Sequence, residues 1–154
     1  MAITWEDCRE AFKEDGSLRD IYVKGACVAD WERLFKFLVD GEFNLNYTRD
    51  AEPANLPSHA AQILKDRSSA HKLMICIGDL TVNCHFFTEE EIELDLDPHE
   101  IRSQIELDLI LGFMRDLGTA LSKEVILTGE NSKDSVWFRC LPENDEMHYE
   151  AAKV

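Results

Sequence analysis

The chain has 154 residues, of which 45% are hydrophobic, and it carries 31 acidic against 16 basic side chains, a formal net charge of −15. This length suits a single domain, and eight Phe, three Tyr and three Trp are ample for a core. A negative field repels nucleic acid and anionic membranes and attracts basic proteins, so direct nucleic-acid binding and membrane association are excluded from the expected functions.

Cysteine usage points to a reducing environment. The five cysteines are odd in number and form no C-x-x-C pair: Cys8, Cys27, Cys76, Cys84 and Cys140. The opening M-A-I-T-W-E-D-C lacks the basic region and apolar run of a signal peptide. No apolar run approaches about 18 residues, the length that spans a membrane. We therefore expect a cytoplasmic protein.

The first 70 residues predict helices alternating with strands. Apolar residues at helical spacing indicate a helix between Thr4 and Gly16 and a second one that begins at an Asp30 cap and ends at Gly41. The inward side of the second helix is Trp31, Leu34, Phe35 and Leu38. The remaining elements are a strand at 18–24, a strand at 43–47, a loop at 49–57 and a short helix at 58–66.

The middle of the chain predicts a β-meander, and the rest a long helix and two more strands. Alternation indicates strands at 73–77 and 80–87, joined by a tight turn at Gly78. An acidic strand follows. Ser103 and Glu106 form a capping-box pattern before an apolar helix that ends near Leu121, in which Gly112 and Gly118 would permit close approach to the sheet. The last strands are expected at 125–128 and 135–141.

The order of elements predicts the fold class. Hairpins dominate and regular βαβ repetition is absent, which favours an α+β domain over residues 1–142. We expect a mostly antiparallel sheet of five to seven strands with three to four helices packed mainly on one face. Residues 143–154 are expected to be a flexible C-terminal tail.

The stretch from Thr88 to Asp97 carries the strongest functional signal. The acids alternate with Ile92, Leu94 and Leu96, as in a half-buried strand whose carboxylates share one face. They are Glu89, Glu91, Glu93, Asp95 and Asp97. Because like charges in such a row repel one another, the row predicts a surface that meets a basic partner, with Trp137 as an aromatic anchor.

No motif fixes a reaction, a metal or a cofactor. His99-Glu100 is not followed by the second histidine of H-E-x-x-H. Glu93, Asp95 and Asp97 mimic the start of a calcium loop, but Pro98 and the alternating leucines indicate a strand instead. We therefore predict no catalytic residues, no metal site, no cofactor and no enzymatic activity.

His85 is the one residue that supports an enzymatic alternative. Cys84 precedes it but points to the opposite face of a strand, whereas Asn83 shares its face. The favoured interpretation is a partly exposed strand histidine that is hydrogen-bonded to a Glu. The alternative is a small hydrolase or transferase that uses His85 with Asn83 and a neighbouring Glu.

Several stretches resemble a group of small bacterial proteins without assigned activity. They are L-R-D-I-Y-V at 18–23, A-D-W at 29–31, C-H-F-F-T-E-E-E-I-E-L-D-L-D-P at 84–98, L-G-F-M-R-D-L-G at 111–118 and V-I-L-T-G-E-N-S at 125–132. The profile of a small, acidic, motif-free α+β protein also resembles the immunity proteins of bacterial toxin systems. That resemblance implies inhibition of a cognate toxin by acidic side chains that bind its basic surface.

The leading hypothesis is an acidic protein-binding module, most concretely an immunity-type inhibitor of a basic toxin or nuclease. A DNA-mimic regulator that binds a nucleic-acid-binding protein, and the hydrolase or transferase built on His85, are the alternatives. A homodimer with the acidic strand in its interface is also compatible with the pattern.

Overall fold

The computed structural model describes residues 3–41, 43–143 and 146–150. Within these ranges nine strands form one sheet in the order β3-β2-β4-β5-β6-β1-β7-β8-β9, and every neighbouring pair is antiparallel. The strands are β1 (Arg19–Lys24), β2 (Asn44–Arg49), β3 (Glu52–Pro53), β4 (His71–Ile77), β5 (Leu80–Thr88), β6 (Glu91–Leu96), β7 (Val125–Gly129), β8 (Ser132–Leu141) and β9 (Glu146–Tyr149). The α+β class is therefore as predicted.

The described residues also form four α-helices that accompany the sheet. They are α1 (Trp5–Cys8), α2 (Val28–Asp40), α3 (Ala60–Lys65) and α4 (Gln104–Leu121), with short 3-10 helices at Arg9–Phe12 and Pro98–Glu100. Helix α2 packs beside α3 and α4, and α4 also packs against β7 and β8. No helix in the described parts of the chain is long and apolar enough to cross a membrane.

One face of the sheet joins the helices in a continuous core. Burial alternates along β4, along β5 as far as His85 and along β6 as far as Leu94, so every second side chain there is covered. Ile92, Leu94 and Leu96 are all buried, as the alternation predicts. From the helices, Trp31, Leu34 and Leu38 of α2 and Ile110 and Met114 of α4 are fully buried in the same cluster.

The helix starts differ in detail from the sequence prediction. Helix α2 begins at Val28 with Cys27 as its N-cap, so the Asp30 cap was wrong. Asp30 instead accepts a hydrogen bond from the Cys27 backbone N–H at 3.0 Å, from a position inside the first turn. Thr4 precedes α1 but forms no side-chain cap, and that helix tightens into 3-10 geometry after Cys8.

The sheet has more strands than the five to seven expected. Strand β3 has only two residues and lies in the segment predicted as a proline-containing loop. Strand β9 pairs with β8 and lies inside the segment 143–154 that was predicted to be a tail. Of that segment, residues 144, 145 and 151–154 lie outside the described residues.

Candidate functional site

The candidate site lies on the sheet face that points away from the helices, where β5, β6 and β1 are adjacent. The register places Asn83 of β5 opposite Asp95 of β6, and Asp95 opposite Asp20 of β1. One position along, His85 lies opposite Glu93, which in turn lies opposite Tyr22. These side chains alternate with the buried residues of the core because successive strand side chains point to opposite faces.

Four carboxylates converge here, and we call them the acidic patch: Asp20, Glu91, Glu93 and Asp95. Side chains directly opposite on antiparallel strands lie about 4.5–5.5 Å apart at Cβ, and like charges in such pairs destabilise the sheet. Asp20 and Asp95 form such a pair. The carboxylates of the acidic patch therefore repel one another, and positive groups of the protein or of a partner must offset this repulsion.

Asp95 is held by two side chains of β5. Its Oδ2 lies 2.5 Å from His85 Nε2, and its Oδ1 accepts a hydrogen bond from Asn83 Nδ2 at 3.1 Å. Burial opposes ionisation of Asp95, but the hydrogen bonds from His85 and Asn83 outweigh burial and lower its pKa. The same hydrogen bond and the nearby negative charges raise the pKa of His85. Asp95 is therefore a buried anion that stabilises protonated His85.

Asp20 accepts hydrogen bonds from its own strand and from the β7–β8 hairpin. Its Oδ2 accepts hydrogen bonds from Tyr22 Oη at 2.9 Å and from the Asn131 backbone N–H at 2.7 Å. Burial nevertheless raises the pKa of Asp20, and the charges of Asp95 and Glu130 act in the same direction. Asn131 lies in the β7–β8 hairpin with a positive φ of 54°, so this turn presents its backbone to the patch.

Lys133 of β8 covers part of the patch. Its Nζ lies 2.7 Å from Glu91 Oε2 and 5.2 Å from the centre of the Tyr22 ring. Tyr22 is only 2% exposed although it does not belong to the helix-side core. Burial, and then the hydrogen bond to Asp20, raise the pKa of Tyr22, so its hydroxyl remains a proton donor to Asp20.

Glu93 is the unsatisfied member of the acidic patch. It is partly buried, yet its side chain forms no hydrogen bond and no ion pair with any residue that the structure describes. Burial raises the pKa of Glu93, and the negative charge of Asp20 raises it further. The positive charges of His85 and Lys133 act in the opposite direction but do not outweigh these two effects. Among the described residues, His85 and Lys133 act on this carboxylate without forming an ion pair with it, so a positive group of a partner can bind it directly.

The structure places the predicted partner-binding residues in three different settings. Glu91, Glu93 and Asp95 share the open face, but Asp95 is 9% exposed and does not offer a free charge. Glu89 lies in the turn before β6, and Asp97 follows β6 and accepts a hydrogen bond from the His99 backbone N–H. The five acids therefore do not form one exposed row.

Trp137 lies apart from the acidic patch. It belongs to β8, which two strands separate from β6, and its ring stacks on Tyr149 with centroids 6.4 Å apart. It also packs against the core. Beside the patch, Tyr22 is buried, whereas Phe87 is 61% exposed and its ring stacks on His85 with centroids 5.2 Å apart.

Sequence reasoning missed Asp20, Tyr22 and Lys133. The signal for the first two was the alternation in R-D-I-Y-V-K, which puts Asp20 and Tyr22 on the face opposite Ile21 and Val23. That they join the acidic strand depends on β1 lying next to β6, a pairing between residues about 70 positions apart.

The chemistry available at the site is limited. Cys84 is fully buried on the helix side, and burial raises the pKa of its thiol, so it is not a nucleophile for His85. Within the described ranges, no three His, Cys, Asp or Glu side chains are grouped so as to hold a metal ion. What remains is a polar, acidic surface with a partly exposed aromatic ring.

Comparison with protein-family models, with curated proteins and with solved structures finds no match to this chain.

Proposed function

We propose that the chain is an acidic protein-binding module that recognises a basic protein through the acidic patch. The observation that carries the proposal is Glu93, a partly buried carboxylate with a raised pKa and no hydrogen-bond or ion-pair partner in the described chain. An arginine or lysine of a partner would neutralise the repulsion between Glu93 and Asp20. Phe87 beside the patch would add apolar contact area.

The net charge of the chain favours the same kind of partner. With 31 acids against 16 bases, the electrostatic field of the protein is negative and attracts a basic protein. This attraction raises the rate of association, and the increase becomes smaller as the salt concentration rises. The most concrete form of the proposal is an immunity-type inhibitor that covers the basic surface of a toxin or nuclease. A DNA-mimic regulator would use the same charges against a nucleic-acid-binding protein.

The test compares three forms of the tagged full chain as baits in lysate of the native host. The patch variant is Glu91→Gln with Glu93→Gln, which changes the two more exposed carboxylates and spares Asp20 and Asp95, because both are nearly buried and hydrogen-bonded. The control variant is Asp79→Asn with Asp116→Asn, which removes the same charge from two exposed acids elsewhere. Thermal unfolding of all three forms checks that the fold is retained.

We expect one basic protein on the wild type and the control but not on the patch variant. With that protein purified, the patch variant should bind at least about tenfold more weakly than the control. If the partner is a toxin, co-expression of the wild type should restore growth and the patch variant should not. Equal affinity of the patch variant and the control would overturn the proposal, and competition by duplex DNA would identify the mimic form.

A second candidate, general acid–base catalysis, is favoured by the short hydrogen bond between His85 and Asp95. Such a pair orients an imidazole and raises its basicity. A His85→Gln variant that keeps its affinity for the basic partner but loses a hydrolase or transferase activity of the wild type would favour this candidate. A partner-binding defect in the same variant without any activity to lose would favour the binding module.

A further inference from the structure

A cavity of about 470 Å³ lies on a different part of the molecule from the acidic patch. One wall is α1 with the 3-10 helix Arg9–Phe12, and the other is the segment 98–102 that follows β6. The two 3-10 helices pack against each other, which fixes the distance between the walls. Its volume falls within the roughly 300–1,000 Å³ that is usual for sites of small molecules.

The floor of this cavity is aromatic and rigid. Trp5 and Phe12 stack with ring centroids 6.1 Å apart, and Phe12 stacks in turn on the buried Phe138 at 5.8 Å. The Trp5 backbone N–H donates to Gln104 Oε1 at 2.7 Å, which ties α1 to α4. Pro98 and Ile101 line the opposite wall. A flat apolar body would therefore meet a preformed surface.

The rim of the cavity is basic, although the chain as a whole is strongly acidic. Arg9, Lys13 and Arg102 all line it. Within the described residues, the side chains of Lys13 and Arg102 form no ion pair and no hydrogen bond. Arg9 has only a long contact of 3.9 Å with Glu6, and both side chains are mostly exposed. Arg102 lies near enough to Glu106 for the two charges to attract, but no described carboxylate forms an ion pair with Arg102 or Lys13, so a ligand can bind these cations.

Two acids also line the cavity, and they do not cancel this charge. Glu14 Oε2 lies 3.1 Å from His99 Nδ1, so a residue of the opposite wall engages that carboxylate. Glu10 is the second acid, so the lining holds two acids and three cations. Three cations against two acids leave the lining with a formal excess of one positive charge, whereas the acidic patch is negative.

We propose that this cavity binds a small organic anion, an aromatic ring that carries a carboxylate or a phosphate group. The ring packs on Trp5, which the nearly buried Phe12 supports from the core side, and the anionic group is bound by Arg9 and Arg102, since guanidinium groups bind both anions in bidentate fashion. A neutral ring would leave the cations unused, and a bare inorganic anion would leave the aromatic floor uncovered. This site is independent of the proposed function of the acidic patch.

The test titrates the full chain with four probes and follows the indole N–H of Trp5 by NMR, assigned with a Trp5→Phe variant. The probes are phenyl phosphate, benzoate, inorganic phosphate and benzyl alcohol. We expect saturable shifts with one or both aromatic anions, and affinities at least about tenfold weaker for the other two probes. Saturation by only one aromatic anion assigns the anionic group as phosphate or carboxylate.

Two double variants that remove the same charge distinguish a specific binding site from general electrostatic attraction. Arg9→Gln with Arg102→Gln should weaken the aromatic anion at least about tenfold, because both charge-assisted contacts are lost. Lys24→Gln with Lys65→Gln removes the same charge at exposed positions outside the cavity and should leave the affinity unchanged. Absence of a saturable Trp5 shift with either aromatic anion, or equal affinity in the two double variants, would overturn the proposal.

Discussion

His85 and Asp95 titrate as a coupled pair, and their pKa shifts have opposite signs. The pKa of His85 is raised above its ordinary 6.5, so its contribution to stability is complete below that value and is lost as pH rises through the folded-state pKa. The pKa of Asp95 is lowered below its ordinary 3.8, so its contribution is present above that value and is lost in stronger acid. The pair therefore stabilises the fold most between about pH 3.8 and pH 6.5, the ordinary pKa values of aspartate and histidine.

His85→Gln tests this window. Glutamine keeps a donor for Asp95 but not the charge, so the wild type should be more stable by about 1–2 kcal/mol near pH 5, since the pair is mostly buried. The advantage should shrink as pH rises above 6.5, through the raised pKa of His85. Urea unfolding of both forms, followed by tryptophan fluorescence from about pH 5 to pH 9, measures it. A difference that stays constant over that range would contradict the assignment.

Only part of the site can be predicted from single residues. Asn83 and His85 share a strand face, and a short hairpin brings the next strand beside them, so local sequence predicts an acid near His85. The partner is Asp95 rather than a Glu because the hydrogen bond runs diagonally across the register. Asp20 and Tyr22 reach the site through long-range strand pairing, which local alternation does not encode.

At the scale of elements, the two glycines of α4 have different roles. A Cβ on Gly118 would lie 3.2 Å from the Lys123 backbone oxygen and 3.4 Å from Val125 Cγ2, so this glycine allows the helix to approach β7 closely. A Cβ on Gly112 would meet no atom within 4 Å. The sequence prediction that both permit close approach thus holds for Gly118 only.

Gly112→Ala and Gly118→Ala form a matched pair of substitutions. The first should raise the free energy of unfolding by about 0.5–1 kcal/mol, because alanine loses less conformational entropy in a helix. The second has the same intrinsic gain but crowds a backbone oxygen, so its effect should be smaller or negative. Chemical denaturation of both variants measures the difference. An equal gain at the two positions would show that Gly118 does not set the helix–sheet distance.

The elements that sequence predicts well are those in which apolar residues recur at a regular spacing over many positions. The inward residues of α2, and the alternation in β6, follow directly from 3.6- and 2-residue spacing. Strands β3 and β9 lie at the two edges of the sheet, and each pairs with one neighbour. In β9 the apolar Met147 and Tyr149 alternate with polar residues, but over four positions only, and the two residues of β3 are too few to show a period. At such edges, pairing with the neighbouring strand outweighs the intrinsic strand propensity of the residues.

For the whole molecule, the net charge of −15 opposes compactness. Raising NaCl from about 20 mM to about 500 mM shortens the screening length several-fold, so the melting temperature should rise. Removal of three exposed acids, by Glu52→Gln, Asp79→Asn and Asp116→Asn, should raise the melting temperature at low salt and reduce the response to salt. Circular dichroism melts of both forms measure this. A salt response of equal size in the two forms would contradict self-repulsion as its cause.

The position of β1 has a consequence for the order in which the protein is built. Its two neighbours, β6 and β7, begin at Glu91 and Val125, so a strand that leaves the ribosome early cannot pair on both sides until more than 100 further residues have followed. Strands β4, β5 and β6 need no such delay, because each pairs with the next along the chain. During synthesis the local meander can therefore form first, and insertion of β1 into the gap between β6 and β7 is the late, slow step that completes the sheet.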